Sequence, residues 1–469
     1  MLKLHDAAFY AAIFFILGVA LASLAGDVSY KWLFLVAGTL MAFTFIWVLN
    51  KNVIAVFTLF LFVGGAYYFA YDFWQTSNNL IFNQKVLVRG VITKVSSGET
   101  GQQIQVGSVR AYLKTYPNYE YGDLVEIVGE IKPPQDKAKN YLSKEGVAGI
   151  MIFPSTQVLA KNKGNFIMAS LNKLKLAIVG NLNKVLPQEK ANFMAGLLVG
   201  GRSSFSSDFR DMLSRSGTSH LVALSGYNIA VLASGVALII SYFLVQETLV
   251  FILTLVILIL FVAMTGAEAS VVRAALVGMV MLLSNYVERQ YSLRNTLSII
   301  AALMVLQNPK ILIFDIGFQL SFAALLGIIY LEPIISKHLH LNSKSFFNWR
   351  KNLATTLVAQ IAVLPIVATS FGSISFSGII SNVFILGLVP ITMFMGFMAA
   401  ITGSVSYYIS LVFGLVANVL LSYMVFVIKI FSSFGYLNGL EFGFWFMVVY
   451  YVVLVGGFLY YHKKYEASQ

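Results

Sequence analysis

Apolar runs about as long as a bilayer is thick recur from residue 7 to residue 461 of this 469-residue chain. A membrane-crossing helix needs about 20 mostly apolar residues, and its backbone polar groups must be satisfied within the segment. Three such runs open the chain, at 7–25, 32–49 and 53–71. Nine follow, at 220–243, 248–264, 268–286, 293–307, 311–335, 352–370, 375–400, 404–432 and 443–461. Only 11% of residues are charged and 58% are hydrophobic, whereas a soluble domain has roughly 25% charged residues. A water-covered surface cannot be built from that supply. The fold class is therefore a polytopic α-helical membrane protein of about 12 spans. A cleaved signal is the alternative for the first run, but two more apolar runs follow at once, which favours a first span. Pro390, inside the run 375–400, predicts a kink or break.

The composition changes between about 80 and 165. The stretches KVLVRGVITKV, QQIQVGSVRAYL, DLVEIVGEI and GIMIFP alternate apolar and polar residues, with SSGETG, YPNYEYG and KPPQDKAKN as turns between them. Period two predicts about five short strands, hence a small all-β domain inserted into the membrane protein. Four segments result: a three-helix membrane segment at 1–72, the β-domain at 80–163, an amphipathic, interfacial and re-entrant segment at 165–216, and a membrane domain at 217–462. In 165–186, Lys173, Lys175 and Lys184 interrupt a helical apolar pattern, which suits the membrane interface.

Charge sets the orientation. With the N-terminus inside, the loops bearing Arg289 and Arg294, then Lys337, Lys344, Arg350 and Lys351, then Lys463 and Lys464, all fall on the cytoplasmic side. That is the positive-inside arrangement. It places both termini in the cytoplasm and the β-domain outside. The chain has no cysteine, which excludes disulfides and thiolate metal sites.

An ionisable side chain at mid-span costs about 2.5–3.5 kcal/mol on insertion scales, so it marks a water path or a paired site. SGTSHLVALSGYNIA sets His220, Ser225, Gly226 and Asn228 at the start of a span, as gate or pore lining. The alternative is a helix cap at Thr218 or Ser219 beside a satisfied histidine. MTGAEASVVRAALVG carries Arg273 about one turn deeper than snorkelling reaches. Asp315 and Gln319 stand four residues apart, on one face of a helix. Asp315 then neutralises Arg273, or the pair is glue between helices. Gln360, Pro365 and Asn382 read as helix packing. Histidines 5, 220, 338, 340 and 462 have no carboxylate cluster beside them, and the chain has no phosphate-binding loop. No enzymatic activity, metal or cofactor is expected.

These stretches resemble the ComEC family of competence proteins. GTSHLVALSGYNIAVL (217–232), TGAEASVVRAALVGMV (265–280) and NPKILIFDIGFQLSFAALLGI (308–328) are similar to three family signatures, and YLSKEGVAG (141–149) to the element closing its exterior domain. Asn228 stands where many members carry histidine. The resemblance implies a channel that carries single-stranded DNA across the bacterial inner membrane, with an OB-like exterior domain that binds the strand. Such barrels use a charged groove and aromatic stacking. Arg89, Arg110 and Lys114 are then candidate phosphate contacts, and Tyr112, Tyr116, Tyr119, Tyr121 and Tyr141 candidate stacking residues; as core or turn residues these tyrosines would have no such role. Many members also carry a metallo-β-lactamase-like domain, which is not found before HKKYEASQ. The resemblance thus implies the channel without its own nuclease.

The expected path is lined by His220, Ser225, Gly226, Asn228, Arg273, Asp315 and Gln319. The expected partners are single-stranded DNA, the lipid bilayer, a separate nuclease, an exterior DNA receptor, and a cytoplasmic translocase or single-strand-binding protein; a homo-oligomer is compatible. Two rivals stand beside this reading: a secondary transporter for a small anion or lipid, and a membrane-anchored scaffold displaying an OB-type binding module.

Overall fold

A computed structural model describes residues 4–24, 53–76, 80–98, 101–201, 205–224, 226–243, 246–287, 292–338, 349–439 and 442–466. The expected run 32–49 lies outside them. The chain divides into two compact units, Met1–Lys173 with Ile229–Asp315, and Leu174–Asn228 with Ile316–Gln469.

In the first unit, helices α1 (Leu4–Leu24) and α2 (Val53–Thr76) pack through small residues. A Cβ at Gly18 would run into the Leu61 carbonyl, and one at Gly64 into that of Phe15. This close backbone approach is how apolar helices associate where no hydrophobic gain separates helix from lipid.

The β-domain follows, with β1 (Lys85–Gly98), β2 (Gly101–Val106), β3 (Val109–Leu113), β4 (Leu124–Glu130), β5 (Gly149–Ile152) and β6 (Ser155–Ala160). The long β1 pairs with β4 through Lys85–Val91 and with β2 through Ile92–Gly98. Next to β2 lies β3, which pairs in parallel with β5. An antiparallel bridge between Lys132 and Ile150 joins the end of β4 to β5 and closes a ring of five paired strands, while β6 adds to β4 outside the ring. Inward residues (Ile92, Ile104, Val106, Ala111, Val125, Ile127, Met151) fill one core, as period two demands. Two features differ from expectation. STQVLA forms a sixth strand, and the turn-like DKAKN opens a helix, α3 (Asp136–Lys144), which buries Leu142.

The rest of this unit is helical: the greater part of α8 (Gly226–Phe243), α9 (Glu247–Met264), α10 (Ala269–Tyr286), α11 (Leu293–Gln307) and α12 (Ile311–Phe314). In the second unit, α5 (Gln188–Val199) follows α4 (Phe166–Val185) and is buried throughout Phe193–Val199. The unit also holds α6 (Ser207–Arg215), α7 (Ser219–Val222), α13 (Ile316–Tyr330), α14 (Glu332–His338), α15 (Trp349–Phe371), α16 (Ser377–Leu386), α17 (Val389–Thr402), α18 (Tyr407–Phe431) and α19 (Phe444–Glu466), of which α7, α17 and α18 pack on α5. A short ribbon pairs β7 (Ser373–Ser375) with β8 (Tyr436–Asn438).

Every expected apolar run among the described residues is helical, but three are broken. The run 311–335 splits into α12, α13 and α14. Asp315 is extended between the first two (φ −110°, ψ 98°), and Pro333 cannot continue the helix before it. The run 220–243 splits at Ala223, also extended. The run 375–400 bends by 53° between α16 and α17, with Pro390 in the first turn of α17, where its missing N–H costs nothing. By length and apolarity, Asp6–Leu24, Glu247–Met264, Arg350–Phe371 and Tyr407–Phe431 can cross a membrane, and the bent pair would make a fifth.

Candidate functional site

The element YLSKEGVAG is where the β-domain is fastened to the helices of its own unit. The cause is a helix stop. Gly146 has φ +72°, a left-handed conformation that glycine alone adopts without a Cβ penalty. The Gly146 amide donates to the Ser143 carbonyl (3.1 Å) and the Val147 amide to the Leu142 carbonyl (2.9 Å). Leu142 and Val147 are both buried. These are the two bonds and the apolar contact of a Schellman cap. The cap fixes the backbone that carries Lys144 and Glu145, and their side chains take different partners.

Lys144 Nζ lies 2.8 Å from Asp315 Oδ2, each side chain only 13% exposed. Beside it, Lys310 Nζ reaches Asp72 Oδ1 of α2 (2.9 Å) and Ser143 Oγ (2.7 Å), and Asn308 Nδ2 donates to the Lys144 carbonyl (2.9 Å). Glu145 turns to the barrel. It accepts from Arg110 Nη2 (2.9 Å) and Lys94 Nζ (3.1 Å), and from the Tyr141 hydroxyl (3.3 Å). Burial pushes the Glu145 carboxyl up, but Lys94 and Arg110 outweigh it and hold it below the usual carboxylate range. Burial, followed by the Glu145 charge, pushes the Tyr141 hydroxyl up to about 12.

The structure therefore changes two expectations. Where the sequence suggests Arg273 as counter-ion of Asp315, the structure supplies Lys144. Asp315 sits at the break between α12 and α13, so the shared helix face with Gln319 does not form. Arg273 is buried on α10, and Gln319 is half-buried on α13.

The barrel candidates separate likewise. Arg110 and Tyr112 point outward from β3, alternating with the buried Val109, Ala111 and Leu113. Tyr112 stands opposite Gln103 on one side and Ile152 on the other. Lys114 and Tyr116 are exposed just beyond the strand, so one strand and its loop bring four candidates together. Arg89 is exposed on β1, opposite Glu126. Tyr119 is a core residue, and the Tyr121 hydroxyl accepts the Asn165 amide.

In the second unit, GTSHLVALSGYN also begins with a Schellman cap. The Gly217 amide donates to Ser214 and the Thr218 amide to Leu213. The Arg215 carbonyl accepts Ser375 Oγ (2.6 Å) and Ser377 Oγ (3.1 Å), and the Ser216 carbonyl accepts Ser381 Oγ (2.8 Å). Gln360 Nε2 donates to the Ser375 carbonyl (2.5 Å), which agrees with a packing role. Thr218 holds the N-cap position of α7, but its hydroxyl bonds Ser216 Oγ (2.7 Å) instead of capping. Asn228 is buried, and its Nδ2 reaches the Leu197 and Leu221 carbonyls (3.2 and 3.3 Å). This amide braces the ends of α5 and α7. Among the other candidates, His220 is exposed, Gly226 begins α8, and Ser225 lies outside the described residues.

Sequence reasoning passed over Lys144, Glu145, Lys310 and Asp72. A signal for the first two was present: a Lys-Glu-Gly stop after an apolar leucine predicts a capped turn that displays both charges.

The model for the family described as Competence protein matches residues 197–464, more than half of the chain, and the chain belongs to that family. It is 29% identical over 245 residues to ComE operon protein 3 of Bacillus subtilis (strain 168), an alignment covering 51% of this chain and 30% of that protein. This chain therefore spans about a third of the length of that relative. No solved structure matches it.

Proposed function

We propose that this chain conducts single-stranded DNA across the cytoplasmic membrane during natural transformation. The observation that carries the reading is the join at 141–147. It bonds a basic β-domain, through Lys144 and Asp315, to residues 308–315 of its own unit, which lie within the family-matched region. Binding of a polyanion and its passage then belong to one assembly.

In this reading the apolar runs make about 12 spans, the termini are cytoplasmic and the β-domain is extracytoplasmic. The closed ring β1-β2-β3-β5-β4 supports an OB-like barrel, with 11 Lys and Arg against 7 Asp and Glu over 85–163. Its binding strip is β3 and the following loop, where Arg110 and Lys114 meet phosphates and Tyr112 and Tyr116 stack on bases. Arg273 offsets phosphate charge along the membrane path. The conduit is not itself an enzyme, and a separate nuclease, exterior receptor and cytoplasmic strand-binding partners supply the rest.

The test follows labelled DNA in a competent host lacking the gene, complemented with wild type or Arg273→Ala. DNA held outside the membrane and DNA in the cytoplasm are scored separately. The expected result is that only wild type moves DNA inward, while Arg273→Ala still binds it outside. Cytoplasmic entry unchanged by deletion would refute the reading.

A further inference from the structure

Lys190 is a cation held on neutral partners of a long apolar helix. It is the third residue of α5, where a positive charge opposes the helix dipole. Its Nζ donates to Asn418 Oδ1 (2.9 Å) and Ser422 Oγ (2.6 Å) on α18. Among the described residues no carboxylate pairs with it. Asn418 is the twelfth of the 25 residues of α18, a helix long and apolar enough to cross a membrane. At 1.5 Å per residue it stands roughly 16 Å from one end, near the middle of a hydrocarbon layer about 30 Å thick.

A second lysine precedes it in the chain, on α4. Lys184 Nζ donates to Asn181 Oδ1 (2.9 Å), and Asn181 Nδ2 is held by the Ala400 carbonyl and Ser404 Oγ (2.9 and 2.8 Å). Ser404 lies in the turn between α17 and α18, so Lys184 marks the level of a helix end and Lys190 a level further in. Both cations are oriented by amide or hydroxyl oxygens, which aim an ammonium without cancelling its charge. An intramembrane charge is retained where function needs it.

We propose that Lys190, approached past Lys184, is an anion site for the phosphodiester backbone of the strand inside the membrane domain. The proposal rests on the DNA-conducting reading above and adds to it a site on α5, a helix assigned no part in the path by that reading.

The test uses the full chain in the deletion host. Lys190→Gln should lower DNA entry at least tenfold with exterior binding and membrane abundance unchanged, and Lys190→Arg should retain most of the entry. Since the chain has no cysteine, Ser422→Cys gives a unique thiol at the position that bonds Lys190 Nζ. A single strand bearing bromoacetyl groups on its backbone should couple to that thiol, and an unlabelled strand should compete. If deletion abolishes entry but Lys190→Gln imports like wild type, this site is refuted and the conducting reading stands. Lys190→Arg failing as badly as Lys190→Gln at normal abundance also refutes it, because packing and not charge is then at stake. Entry unaffected by deletion overturns both.

Discussion

Replacing Glu145 by Gln should strengthen single-strand binding, because Glu145 occupies the cations that a phosphate would use. Arg110 is 12% exposed and Glu145 19%, so their bond belongs with charged hydrogen bonds worth about 1.5–3 kcal/mol. Lys94 is 54% exposed, and its share is at most about 1 kcal/mol. Releasing both adds two phosphate contacts. At about −0.7 per contact for single strands, the slope of log K against log salt should steepen by about 1.4. Affinity at low salt should rise at least about tenfold, equivalent to about 1.4 kcal/mol. The assay is fluorescence anisotropy of a labelled oligonucleotide on the full chain in detergent, across a salt series, with circular dichroism reporting the sheet. The pH dependence has a definite sign. The folded Glu145 carboxyl is held below its ordinary value, so its grip on Arg110 is complete above about pH 4.3 and is lost as pH falls through the depressed folded value. Wild type and Glu145→Gln should therefore differ at neutral pH and converge in acid. An unchanged or shallower salt slope with an intact sheet would refute the assignment of Arg110 as a phosphate contact and the release of Lys94 to act beside it.

The remaining predictions concern the joints. Lys144→Met removes the ammonium paired with Asp315, which is 13% exposed, and should destabilise the first unit by about 3 kcal/mol. Asp315→Asn should cost less, and the double variant should cost less than the sum, as read by hydrogen exchange of the β-domain amides. Gly217→Ala combines a φ of +68° with a Cβ 2.6 Å from Gly378 Cα. It should lower thermal stability by at least about 2 kcal/mol, whereas Gly266→Ala, with open space around its Cβ, should lose only the conformational term, about 1 kcal/mol.

Helices and strands were legible where a single period governs. The runs 248–264 and 404–432 are helical within a few residues of expectation, because length and apolarity suffice to specify them. The strands at 85–95 and 123–131 were equally plain, because alternate residues fill one core. What escaped were places where a tertiary partner decides. DKAKNYLSK looks solvated, yet Leu142 is buried and Lys144 is drawn towards Asp315, which makes it a helix. The run 311–335 looks continuous, yet it breaks at Asp315, where that lysine is held. Asn228 is legible as a polar residue in an apolar setting, but its contacts with the Leu197 and Leu221 carbonyls are set by tertiary packing, which no one-dimensional pattern reveals.

The partners of the basic residues sort them by what they can do. Lys144, Lys310 and Arg110 each have a carboxylate within 3 Å. Such a pair is nearly neutral, and an arriving phosphate must displace an acid before it gains a cation. Pairs of this kind hold elements together, as Lys144 and Lys310 do between the β-domain and its helices, or stand guarded, as Arg110 does behind Glu145. Lys190 and Lys184 rest on amide and hydroxyl oxygens, so each keeps its unit of positive field. A conduit for a polyanion needs few such charges, since too many would trap the strand. The scaffold alternative would need none at membrane depth, where each adds an insertion cost of about 2.5–3.5 kcal/mol with nothing to offset it. Loss of entry without loss of exterior binding, on neutralising Lys190, separates the two.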